Sequence, residues 1–346
     1  MPYVPALDGI RAIAIFLVLA FHARVPGFRF GYVGVDVFFV LSGFLISGIL
    51  LRQIEQTGTV QFRQFYIRRF FRLTPALLAM LTVYIVIGPM VWPLQNHLRD
   101  AALAALYVSD YSKALYGAPD TISHTWSLSV EEHFYLLWPP VLLALHGRYK
   151  GSRLAVVIAF ILVTCLAWRW AWLERGATWN EIYYRFDTRL TGMIAGSLLA
   201  VLIHHRPSIQ WMHRYRYYIY FLPLLLILTL DQKWGSTWML RWGFTIVELG
   251  SASVIVAVMF RSSCITYLLS QPVMVWVGKH SYAIYLWHYP IMRHLREQGS
   301  WEATILIGLP LSLLLAWLSA HTIERLGYAV RDRLSPPAGV RSGRTA

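Results

Sequence analysis

The sequence predicts an all-α polytopic membrane protein, with about ten helices around a central polar cavity and both termini cytoplasmic. Three observations point there. Apolar residues make up 57 % of the 346-residue chain, charged residues only 14 %, and the apolar ones gather in long uninterrupted runs. Soluble domains carry roughly 45–50 % apolar and about 25 % charged residues. A mean hydropathy of +0.49 excludes a soluble enzyme, a disordered chain and a small disulfide scaffold. The net charge of +14 could suit a nucleic-acid binder, but such a protein would not carry this much apolar sequence. Membrane lipid is the expected surrounding partner, and no nucleic acid is expected.

A bilayer core about 30 Å thick is crossed by about 20 residues of helix. Suitable runs fall near 8–25, 33–51, 73–92, 131–146, 154–173, 187–203, 217–231, 242–260, 280–297 and 304–324, the fourth and seventh being short. The segment 97–109 adds a candidate interfacial helix. With no internal repeat or linker, residues 1–330 read as one transmembrane domain, followed by a polar basic tail over 331–346. Placing the N-terminus inside puts 18 of the 31 Lys and Arg on the cytoplasmic side. They gather as Arg52, Arg63, Arg68, Arg69 and Arg72, then Arg148, Lys150 and Arg153, then Arg206, Arg214 and Arg216. Arg261, Lys279, Arg325, Arg331, Arg333, Arg341 and Arg344 complete the set, as the positive-inside rule asks. The first apolar run holds Asp8, Arg11 and His22, so it does not read as a cleaved signal. Cys165 and Cys264 have no CxxC or Cys/His spacing and read as free thiols. No metal site is expected.

A charge inside a spanning helix costs roughly 2.5–3.5 kcal/mol on insertion scales, so it faces a partner or a cavity. Arg11 and His22 are eleven residues apart, which on a helix is about 20° past three turns and about 16.5 Å along the axis. They share one stripe, close to Asp8, Ile15 and Val18. Asp36, early in the second run, falls at the depth of His22, where a carboxylate would fix the imidazole tautomer. Ser42 and Gly43 follow, small enough for close helix approach, and Ser42 reads as a packing residue before a nucleophile. Arg68 and Arg69 both share a helical face with Arg72, with Pro75 suited to a helix start. That face suits either anionic lipid head groups or a phosphate clamp.

In HTWSLSVEEHFYLLWPP, Ser127 or Ser129 could cap a helix with Glu131 and Glu132 in its first turn. One of the two carboxylates is then free to face a cavity near His22. His288 stands in mid-run just before Pro290. Glu324 falls at the depth of Arg11, so an Arg11–Glu324 pair is expected, as is an Asp187–Arg189 pair.

Five stretches carry a resemblance: LDGIRAIAIFLVLAFH, GYVGVDVFFVLSGFLIS, FYIRRFFRLTPALL, HTWSLSVEEHFYLLWP and SYAIYLWHYP. In this order, over residues 6 to about 326, they resemble the signatures of the acyltransferase 3 family of bacterial integral-membrane O-acyltransferases. The family's Arg/Lys-x10-His pattern falls on Arg11 and His22, and its Arg-x-x-Arg on Arg69 and Arg72. Its Trp-Ser-Leu…Glu…Phe-Tyr segment falls on Trp126, Ser127, Leu128, Glu131, Phe134 and Tyr135. The terminal Ile-Glu-Arg-Pro appears as Ile323-Glu324-Arg325-Leu326, with Leu in place of Pro. The chain resembles the minimal form, without the fused extracytoplasmic esterase-like module.

The resemblance implies transfer of an acyl group, most often acetyl, from cytoplasmic acyl-CoA to a hydroxyl of a cell-envelope glycan. Acyl-CoA is then a co-substrate, no cofactor is bound, and the site lies in the inner (plasma) membrane. The expected catalytic set is His22 as general base with Asp36 or Glu131 orienting it; an acyl-histidine intermediate is the variant route. Arg11, Arg69, Arg72 and Glu324 are expected at acyl-CoA. Ser42, Trp126, Glu132, Arg189 and His288 are expected to line the cavity. The competing class is a membrane carrier or flippase using the same charges, for which corresponding half-repeats are missing from the sequence.

Overall fold

The computed structural model describes residues 3–205, 229–260 and 264–335, and every regular element among them is helical. In chain order the first seven helices are α1 (Pro5–His22), α2 (Gly34–Thr57), α3 (Phe62–Val91), α4 (His97–Ala105), α5 (Ser109–Tyr116), α6 (Thr125–Arg148) and α7 (Ser152–Glu174). There follow α8 (Trp179–Tyr184), α9 (Phe186–Arg189), α10 (Thr191–His205), α11 (Phe244–Met259), α12 (Cys264–Leu269) and α13 (Pro272–Gln298). The last, α14 (Trp301–Leu334), contains two wider turns at Thr304–Gly308 and Ala320–Glu324. Six helices are long and apolar enough to cross a membrane: α1, α2, α3, α7, the run Met239–Met259 and α14.

Among the described residues, nine of the ten predicted runs coincide with helices. The run 217–231 lies almost wholly outside them, as do Arg206, Arg214, Arg216, Arg261 and the tail from 336 onward. The segment 97–109 is two short helices, α4 and the start of α5. Helix α3 begins at Phe62, a full three turns before the predicted 73. Arg68, Arg69 and Arg72 therefore sit within a helix, and Pro75 lies inside it instead of near its start. The basic residues hid this part of the helix from a hydropathy reading.

Two long helices, α6 and α13, fall outside the apolar six. Glu131, Glu132 and His133 on one, and Lys279, His280, His288, Arg293 and Arg296 on the other, lower their hydropathy. Both keep an extensive buried face, and both line the site described below.

Close backbone approach holds the centre together. A Cβ on Gly43 of α2 would overlap the Met193 carbonyl of α10, and one on Gly196 would overlap the Val40 carbonyl in return. Gly278 likewise lets α13 reach the Asp8 backbone of α1. Prolines inside helices free the carbonyl four residues earlier, and neighbouring side chains answer. Pro140 frees Leu136 O, which accepts from Tyr66 Oη at 2.9 Å. Pro290 frees Leu286 O, which lies 3.2 Å from His124 Nε2.

The loop before α6 is tied to α13 through Asp120. Arg293 donates to its carboxylate at 2.7 Å and to its backbone oxygen at 2.6 Å, and Lys113 reaches it at 3.2 Å. Partial burial opposes its charge, but the two cations outweigh that and hold the carboxyl below its ordinary value of 3.8.

Gly43→Val should lower the thermal stability of the detergent-solubilised protein by about 1–3 kcal/mol, as overpacking does. Gly147→Ala, with nothing within 4 Å of a new Cβ, should not lower it. A depressed carboxyl contributes stability fully present above its unfolded-state value. The Asp120 contribution should hold down to about pH 5 and fade below pH 4, a fading that Asp120→Asn removes from the thermal melts.

Candidate active site

Two cavities meet at a wall of arginine. The larger, about 700 Å³, is lined by Arg11, Arg52, Arg68, Arg69, Arg72 and Arg331, with Tyr3, Asp8, Gln53, Gln56 and Gln64 among its other polar groups. The smaller, about 80 Å³, lies between α1, α2, α3, α6 and α13; its polar lining is Arg11, Arg69, Arg72, Ser42, Ser127, Glu131, Tyr135, Ser281, Tyr282 and Tyr285. Arg11, Leu45, Arg69 and Arg72 belong to both. The helical face predicted for the α3 arginines thus turns inward.

Each of these cations is held differently. Arg11 donates to Asp8 at 2.9 Å, and Asp8 also accepts from Tyr3 Oη at 2.7 Å. The Arg69 guanidinium stands 4.6 Å over the Tyr135 ring, a contact that desolvation strengthens. Deeper in, Tyr135 donates to Ser42 at 3.1 Å and Ser42 donates to Glu131 at 2.7 Å. Ser42 is thus a cavity hydroxyl, and its neighbour Gly43 is the packing residue.

Ser127 and Tyr285 line the smaller cavity, with their hydroxyls 2.7 Å apart. His22 lines neither cavity. Its Nδ1 lies 2.9 Å from His288 Nε2, and its ring meets Tyr289 edge-on at 4.8 Å. His288 is fully buried, with its Nδ1 2.7 Å from the Tyr285 carbonyl. Arg296, two turns along α13, donates to the His22 backbone oxygen at 3.0 Å. Helix α13 thus grips the end of α1 by ring and by carbonyl.

Several expected contacts are replaced. Neither Asp36 nor Glu131 orients His22. Asp36 is claimed by Arg189 of α9 at 2.6 Å, both almost wholly buried, and Glu131 faces Ser42. Arg189 is capped by the Phe244 ring at 3.9 Å and the Tyr183 ring at 4.8 Å. Asp187 pairs with Arg185 at 2.8 Å and not with Arg189: Arg185 precedes the α9 turn with extended backbone, while Arg189, within that turn, faces away from Asp187 and is taken by Asp36. Arg11 takes Asp8, one turn earlier on its own helix, in place of Glu324. Glu324 instead reaches Tyr328 at 3.4 Å.

Helix α6 begins at Thr125, so Glu131 and Glu132 lie past its first turn and neither Ser127 nor Ser129 caps it. Ser127 meets Tyr285, while Ser129 accepts from Ser109 N at 3.2 Å. Of the residues expected on the cavity wall, Ser42 is there, whereas Trp126, Glu132, Arg189 and His288 line neither cavity, and nor does Glu324. Trp126 packs behind Arg189, against Tyr183 at 4.8 Å. Tyr285 and His124 escaped the sequence reading. For His124 the signal was present, since Pro290 leaves a carbonyl that needs a donor.

A family model described as an acyltransferase domain matches residues 4–321. The chain belongs to the acyltransferase 3 family. Among relatives, the peptidoglycan O-acetyltransferase OatA of Listeria monocytogenes is 32 % identical, over 93 % of this chain and 55 % of its own length. A Bacillus subtilis protein named "putative peptidoglycan O-acetyltransferase YrhL" is 33 % identical over 93 % of this chain and 54 % of its own. A "putative O-acetyltransferase" of Staphylococcus aureus strain COL is 29 % identical over 94 % of this chain and 57 % of its own. The chain thus spans little more than half the length of these acyltransferase 3 relatives. No solved structure matches it. The family match and the apolar helices together make it a multi-pass membrane acyltransferase domain.

Removing one partner of a buried ion pair costs about 3–5 kcal/mol, because the other charge is left uncompensated. Arg189→Met should therefore destabilise the protein by about that much in thermal melts. Asp36→Asn combined with Arg189→Met should recover part of the loss.

Proposed function

We propose that the chain transfers an acyl group, acetyl in the simplest case, from acyl-CoA to a hydroxyl of a cell-envelope glycan. The observation that carries this reading is the arginine wall shared by the two cavities. CoA is a multiply charged anion with a long thin arm, and guanidinium forks suit phosphate oxygens. The larger cavity is wide enough for a head group and the smaller one narrow enough for an arm. In this reading the chain spans the inner membrane ten times with both termini cytoplasmic, which puts the arginine-lined cavity on the side where acyl-CoA is made. The names of the relatives favour peptidoglycan or a kindred glycan as acceptor.

His22 is the general base. It takes the proton of the acceptor hydroxyl as that oxygen attacks the thioester carbonyl. The C–O bond forms, the C–S bond breaks, and the departing CoA thiolate recovers the proton from the imidazolium. His22 lines neither cavity, so in this reading the Ser127–Tyr285 hydrogen bond on the lining of the smaller one opens for the thioester to reach it.

Membranes holding the protein should move label from radiolabelled acetyl-CoA into a glycan fraction. His22→Ala should reduce that transfer at least about 10²-fold, the lower range for general base catalysis, with the protein still inserted. Arg69→Ala or Arg72→Ala should raise the KM for acetyl-CoA about tenfold or more, the loss of one charge-assisted hydrogen bond. Full transfer by His22→Ala refutes the base; solute flux with no labelled glycan marks a carrier instead.

A further inference from the structure

Which nitrogen of His22 is available follows from a chain of hydrogen bonds that begins at a group with no choice. A backbone carbonyl only accepts. The Tyr285 oxygen, 2.7 Å from His288 Nδ1, therefore receives the N–H of that ring. A neutral imidazole has one N–H, so His288 Nε2 is left as an acceptor. His22 Nδ1, 2.9 Å away, must then be the donor. The lone pair of His22 is thereby placed on Nε2, which has no hydrogen-bond partner among the described residues.

We propose that His288 is the positioning residue of the reaction, fixing the tautomer and rotation of His22 through a histidine–histidine hydrogen bond. The proposal rests on the reading of His22 as base. Carboxylates and backbone carbonyls commonly orient an imidazole by accepting from one ring nitrogen. Here that acceptor is a neutral ring whose own orientation is set by the α13 backbone. Among the described residues, no carboxylate makes a hydrogen bond or ion pair with His22. The titratable and charged groups facing the pair are Arg296 and Tyr289 of α13, Tyr285 one turn back, and His124 at the entry to α6. The His124 ring stands 5.8 Å from that of His288.

His124 closes the arrangement from the other side. Its Nε2 donates to the Leu286 carbonyl freed by Pro290, and its ring stacks on Tyr289 at 4.8 Å. One proline thus fixes two features of the same turn. It supplies an acceptor that anchors His124, and it lies two residues beyond the ring that holds His22.

The test uses the full chain in lipid nanodiscs, with ¹⁵N-labelled histidine and the His22 signals assigned by their loss in His22→Ala. In the unsubstituted protein His22 should carry its hydrogen on Nδ1, against the preference of a free imidazole for Nε2. In His288→Phe it should revert to Nε2–H. In His288→Gln, whose amide oxygen can accept at a similar reach, Nδ1–H should persist. In the acyl-transfer assay His288→Phe should lower kcat by about 10²–10⁴-fold with the KM for acetyl-CoA unchanged, and His288→Gln should recover most of that loss.

A hydrogen found on His22 Nε2 in the unsubstituted protein overturns the proposal, even if His288→Phe does not fold. So does normal turnover by His288→Phe in a protein where His22→Ala is dead, an outcome that leaves the base itself standing. Normal transfer by His22→Ala would instead remove the base on which the proposal rests.

Discussion

Inside a bundle of apolar helices a charge or a hydrogen-bonding group keeps its place only with a partner, and this requirement organises the whole molecule. The penalty for an unpaired ion in such surroundings is several kcal/mol, comparable to a large share of a protein's net stability. Several of the deep polar groups described here are placed by it. Asp36 draws Arg189, Asp8 draws Arg11, and carbonyls released by Pro140 and Pro290 draw Tyr66 and His124. The helices are held in register by these obligations as much as by the small residues that let their backbones touch.

The arginine wall is the place where the obligation is least well met from within. Arg11 has Asp8, Arg69 has an aromatic face, and Glu131 is turned toward a hydroxyl of its own. Clustered guanidinium groups around an open volume create a positive potential in a medium that screens it weakly. In the proposed reading, an anion entering from outside would complete what the bundle leaves open. The same physics that pins the structural pairs would then supply the affinity of the proposed site.

Much of this was legible in the residues. Periodicity placed Arg11 and His22 on one stripe, spacing placed Arg69 and Arg72 on one face, and the length of the apolar runs fixed the helical class. What could not be read was partnership across helices. Asp36 lies at a depth that suits His22, yet the rotation of α2 turns it to Arg189, and one-dimensional spacing says nothing of that rotation. The start of α3 was hidden because a helix rich in arginine looks like a loop on a hydropathy scale. The place of Tyr285 on the cavity lining was hidden for the opposite reason, since one tyrosine among many carries no distinguishing signal.

The hydrogen bond between Tyr285 and Ser127 would have a consequence for the cell as well as for the proposed chemistry. A protein with polar groups from one face of a bilayer to the other risks becoming a leak, through which water files and protons follow. Two hydroxyls bonded to each other on the lining of the smaller cavity would interrupt any such file. In the proposed setting, an energised membrane would then hold many copies of this protein without being discharged by them.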